Sequence, residues 1–140
     1  MSNVPHLHFQ IVQHLQTLKR ELDRLSVRQS AIERCRKSVL AQKPNDCTDE
    51  DEEAFEEITA NLDDTEYDLV TFKDQLRARL DHAEAGFRLV IVNQNEINAL
   101  AFHQHILDGL KLCVQDATAA RDGYDELILN IKELTQLRDQ

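Results

Sequence analysis

Turn-forming residues are scarce in this chain, which has three glycines, two prolines, no tryptophan and 5% aromatics among 140 residues. A β-sandwich or barrel needs a turn signal every ~8 to 12 residues, so the scarcity excludes an ordinary all-β fold and leaves a few long helices. No run of ~18 apolar residues occurs, so the sequence offers no membrane-spanning helix. The stretch Met1-Ser2-Asn3-Val4-Pro5-His6 lacks the basic-then-apolar pattern of a secretion signal, and a soluble, cytoplasmic chain is the expectation. Cys35, Cys47 and Cys113 are odd in number and include no C-x-x-C pair, so reduced thiols are expected rather than a disulfide framework or a zinc knuckle. The length suits one domain, residues 1–140, with one core.

What the chain does have is a mirrored heptad pattern. Folded at Cys47, it places Val39 opposite Phe55, Ile32 opposite Leu62, Leu25 opposite Leu69, Leu18 opposite Leu76, Ile11 opposite Ala83 and Val4 opposite Val90. Apolar residues at seven-residue spacing in two segments, mirrored about one loop, require an antiparallel helical hairpin. Gln29 and Thr65 fall opposite one another in the same register and are expected to form one polar layer. The first helix is predicted over ~5–42, opening with Pro5 in its first turn and stopped by Lys43-Pro44-Asn45. The second is predicted over ~49–88, with Thr48 as its cap and Asp51 completing a capping box. The β-branched stretch Leu89-Val90-Ile91-Val92 is expected to be a tight turn before a third helix over ~96–137, capped from Asn93-Gln94-Asn95-Glu96. Third-helix core positions are expected at Leu100, His103, Leu107, Leu110, Val114, Ala117, Tyr124, Ile128, Ile131 and Leu134. Packed on the second helix in a mirror about residue 93, they pair Leu76 with Leu110 and Leu62 with Tyr124. The fold class is therefore all-α, an elongated antiparallel three-helix bundle.

Charge follows the same mirror. The net charge is -10, with twelve acids and no base from Asp46 to Asp68, and eight bases against three acids from Lys19 to Lys43. In the hairpin these stretches lie side by side: Arg34, Lys37 and Lys43 face Glu50, Glu53, Glu56 and Glu57, with Lys37 near Glu56 and Lys43 near Glu50. Each exposed pair is worth ~0.2 to 1 kcal/mol. An acidic chain without a basic stripe is not expected to bind nucleic acid or anionic membranes directly.

No motif specifies a reaction, and an enzyme is not expected. Glycine-rich phosphate loops are absent, Cys113 is expected on a helix flank far from the histidines, and the paired acids fall on solvated faces. All six histidines map to the end away from Cys47, where His14, His82 and His103 are the only metal candidates; without Glu-x-x-His or His-Glu-x-x-His pairs, no cofactor is expected. More apolar residues gather at that end than two seams need. Phe9, Val12, Leu89, Ile91, Phe102, Ile106, Gly109 and Leu112 are the candidate partner-binding residues. The functional expectation is a helical protein-interaction module, an adaptor, assembly factor or small chaperone, acting as a homodimer or in a helical complex. The alternatives are an acidic decoy of a basic nucleic-acid-binding protein and a metal-binding bundle.

Overall fold

A computed structural model describes residues 4–43, 46, 48–92 and 98–138, with side chains described as far as residue 133. It is an all-α three-helix bundle of α1 (Val4–Gln42), α2 (Asp49–Val92) and α3 (Ala99–Arg138), in which every helix packs on both others. Each helix is about 60 Å long at ~1.5 Å per residue. No helix among the described residues is long and apolar enough to cross a membrane.

The hairpin register is the one the heptads dictate. Ile11, Leu18, Leu25, Ile32 and Val39 of α1, and Leu62, Leu69 and Leu76 of α2, are all essentially inaccessible. Each such aliphatic side chain contributes ~1.5 to 3 kcal/mol by leaving water. His8 against Phe87 at one end and Lys43 against Glu52 at the other are mirrored about residue 47 or just beyond it. At the loop, Thr48 Oγ1 accepts the Asp51 amide at 3.2 Å, and Asp49, Glu50, Asp51 and Glu52 fill the first turn of α2, where the helix dipole favours acids. The last turn of α1 holds no base, so the basic half of that arrangement rests on Lys37 before it and Lys43 after it.

The charge pairing is shifted from its expected partners. Instead of Lys37 with Glu56 and Lys43 with Glu50, Arg36 binds Asp63 and Glu66, each at 2.9 Å, and Lys43 approaches Glu52 at 3.9 Å. Helical side chains lean toward their own N-terminus, away from the loop on α1 and toward it on α2, so a long cation on α1 meets an acid one or two turns later on α2. Gln29 and Thr65 are also separately satisfied. Lys73 Nζ donates to Gln29 Oε1 at 3.0 Å, while the Thr65 hydroxyl donates to the Asn61 carbonyl of its own helix at 2.7 Å.

The α2–α3 register differs from the expected mirror about residue 93. Gly86 lies beside Ile106 and Arg79 pairs with Asp116 at 3.2 Å, which puts the mirror three or more residues later. The cause is that α2 runs on through Leu89–Val92, the stretch expected to turn, and α3 starts at Ala99 rather than 96. β-branched residues cost a helix well under 1 kcal/mol each, less than burial of Phe87 returns. The buried stripe of α3 accordingly begins Ala99, His103, Leu107, Leu110, and Leu100 is 48% exposed rather than in the core. Cys113, expected on a flank, is buried level with Arg79. Leu134, the Lys43-Pro44-Asn45 stop and the Asn93–Glu96 caps lie wholly or partly outside the described residues and side chains.

Candidate protein-docking groove

Between α2 and α3, at the end away from residue 47, the helices leave an open groove of about 640 Å³. Its α2 wall is Ala78, Arg79, His82, Ala83, Gly86, Leu89 and Val90, and its α3 wall includes Phe102, His105, Ile106, Gly109 and Cys113. Both walls repeat at three- and four-residue steps, the spacing of one helical face. The groove exists because small residues stand where large ones would fill it. A Cβ on Gly86 would sit 3.6 Å from Ile106 Cδ1, whereas one on Gly109 would meet nothing within 4 Å. The large side chains stand at the rim instead: Leu89 is 65% and Phe102 49% exposed.

Four of the sequence candidates, Leu89, Phe102, Ile106 and Gly109, are thus brought into one groove, with Ile106 half-buried rather than fully wet. The other four are dispersed. Phe9 and Val12 are exposed on α1, and Ile91 and Leu112 are exposed without lining the groove. Small residues recur at three- and four-residue steps along this part of α3: Gly109 is open, Cys113 and Ala117 are buried, and Ala120 is half-buried. Burial raises the Cys113 thiol above its ordinary value against the opposing pull of Arg79, with Asp116 adding to the rise, so at neutral pH it is protonated and a weak nucleophile.

The histidines share an end of the bundle but not a site. His82 and His105 are exposed in the groove walls, and His14 Nδ1 is held by the Gln10 carbonyl of its own helix at 2.7 Å. His8 and His103 stack on one another between α1 and α3. No three His, Cys, Asp or Glu side chains among the described residues are grouped to hold a metal ion, so His14, His82 and His103 do not make the site considered for them. At the other end, Arg34, Lys37, Glu50, Glu53, Glu56 and Glu57 are exposed, and a smaller cleft of about 340 Å³ lies between Leu40 and Thr59.

The apolar pattern misses the charged seam of α1 on α3. Glu21 is 4% exposed and accepts from Arg121 Nη1 at 2.7 and 3.1 Å and from Arg24 at 2.8 Å. Two turns on, Arg28 forks onto Asp125 at 2.7 and 3.1 Å. Glu21 and Arg28 continue the heptad stripe of Leu7 and His14, and that shared spacing was the available signal. Compared with known protein families, curated proteins and solved structures, the chain matches none.

Proposed function

We propose that this chain is a non-enzymatic protein-interaction module that receives an amphipathic helix of a partner protein in the α2–α3 groove. The observation that carries the reading is the groove itself, an unfilled apolar channel flanked by the half-exposed Phe102 and the unobstructed Gly109. Two antiparallel helices with walls at helical spacing form the seat that a third apolar face needs, and an added helix would complete a four-helix bundle. Small residues at Ala78, Gly86 and Gly109 allow its backbone close approach, and Leu89 and Phe102 supply apolar contact on either side. The α2 wall from Ala78 to Val90 is about 18 Å long at ~1.5 Å per residue, enough for about three turns of a docked helix. An acidic decoy has less support, because Arg36 and Lys43 already engage part of the acidic face.

The test places a photo-crosslinking side chain at Gly109 and, separately, at Tyr67, which is 73% exposed on α2 away from the groove. The expected result is an adduct at 109 whose attached peptide has apolar residues at helical spacing, lost when Phe102→Asp is added. Equal adducts at both positions, or none at 109, would overturn the reading. A self-adduct from 109 would identify the docked helix as a second copy's.

A further inference from the structure

His8 of α1 and His103 of α3 lie ring on ring, with centroids 4.4 Å apart and planes 30° from parallel. Phe87 of α2 presents edge to face to both, 5.3 Å from His8 and 6.4 Å from His103, so all three helices meet in one aromatic cluster. His103 is fully buried and its Nδ1 lies 2.6 Å from the Ala99 carbonyl. A carbonyl only accepts, so Nδ1 carries the proton of the neutral ring and Nε2 keeps a bare lone pair. Nε2 of both rings is buried without a hydrogen-bond partner. Neutral rings tolerate this at modest cost. An imidazolium would bury an N–H with no acceptor, next to a second ring able to carry the same charge.

Among the described residues no carboxylate pairs with either ring. On α1 the other titratable groups near the stack are His6 and His14, and no acid precedes Glu21. On α2 they are Asp81, His82, Glu84 and Arg88, with Glu84 held by Lys19 at 2.9 Å and by Arg88 at 3.8 Å. On α3 they are His105 and Asp108, and Asp108 accepts from Gln104 at 2.9 Å.

We propose that the His8–His103 stack is a pH-sensitive latch: a proton taken up by the stack in mild acid releases the first turns of α3 from α1 and loosens the end of the bundle that carries the groove. The inference holds whether or not a partner occupies the groove. Burial lowers the His8 imidazole from its ordinary value of 6.5, and the adjacent His103 ring lowers it further. Between that lowered value and 6.5 the unfolded chain binds more protons at His8 than the folded chain does. The stabilisation is therefore complete above 6.5 and is lost as the pH falls from 6.5 through the lowered value.

Residue-resolved hydrogen exchange at about pH 7.5 and about pH 5, corrected for intrinsic chemistry, spans the imidazole range and tests the latch. Protection over residues 102–107 is expected to fall severalfold, while Leu62–Leu76 stays protected. The double variant His8→Phe, His103→Leu is expected to abolish the regional response. The same response in that variant, or no regional response in the wild type, would overturn the latch. Should the variant not fold, NMR titration of the wild type decides: His8 midpoints coinciding with shifts in α3 amides support it, and independent midpoints refute it.

Discussion

The two sides of α3 are built on different principles. Toward α1 it is pinned, with Arg121 reaching the buried Glu21 and Asp125 taking the fork of Arg28. Toward α2, at the histidine end, Gly86 and Gly109 leave the space between the helices unfilled, and Arg79 reaches across to Asp116 and Cys113. Charge fixes the first seam's register, because a misplaced helix would leave Glu21 buried and unpaired. On the second seam, side chains too small to fill the space leave a surface available for something else. The contrast separates the part of α3 that is clamped to its neighbour from the part that leaves a groove open.

Breaking the pinned side should have the largest effect. Arg121→Leu leaves Glu21 buried with Arg24 as its remaining partner, and a loss of about 3 kcal/mol in urea unfolding is expected; Glu21→Leu added to it should recover most of that loss. A single-variant loss under about 1 kcal/mol would mean that packing alone holds the seam. Arg28→Ala should cost at most about 1 kcal/mol, and less in high salt, since its carboxylate partner is half exposed. The same pair sets an acid response. Hydrogen bonds from Arg28 hold the Asp125 carboxyl below its ordinary 3.8, so its contribution is complete above that pH and lost as the pH falls below it. Thermal unfolding across that range should show a smaller acid loss in Arg28→Ala than in the wild type. On the open side the sign reverses: Gly109→Ala should stabilise by about 0.5 to 1 kcal/mol, because the added methyl meets nothing and helical glycine is costly. Phe102→Ala should stay within about 0.5 kcal/mol by the same melting measurement, as expected for a half-exposed rim residue; a loss above about 2 kcal/mol would make it core.

The hairpin was legible because its contacts are made by Leu, Ile and Val at one heptad position, a pattern that only one register satisfies. Leu25 with Leu69 and Ile32 with Leu62 could be paired on spacing alone. The α1–α3 seam was illegible for the opposite reason: its contacts are made by Glu21 and Arg28, residues whose default place is solvent. The α2–α3 register slipped because the β-branched run Leu89–Val92 reads locally as a helix end, while burial of Phe87 and the packing of Gly86 beside Ile106 carry the helix through it. At the candidate site, the excess of apolar residues was visible but not its layout. Phe9, Val12, Ile91 and Leu112 have the same composition as the groove residues, and only the helix faces separate them.

The Glu21–Arg121 pair also has a bearing on time. The hairpin closes over a short connection between Gln42 and Asp49, whereas this clamp joins residues 100 positions apart. Local contacts form early and distant ones late, and α2 joins both of its neighbours over six residues, so the α1–α3 clamp is expected to form late whichever hairpin leads. Removing the clamp should then leave the folding rate nearly unchanged and appear almost entirely as faster unfolding. On that expectation the buried Glu21 carboxylate bears on the lifetime of the assembled bundle more than on the speed of its assembly.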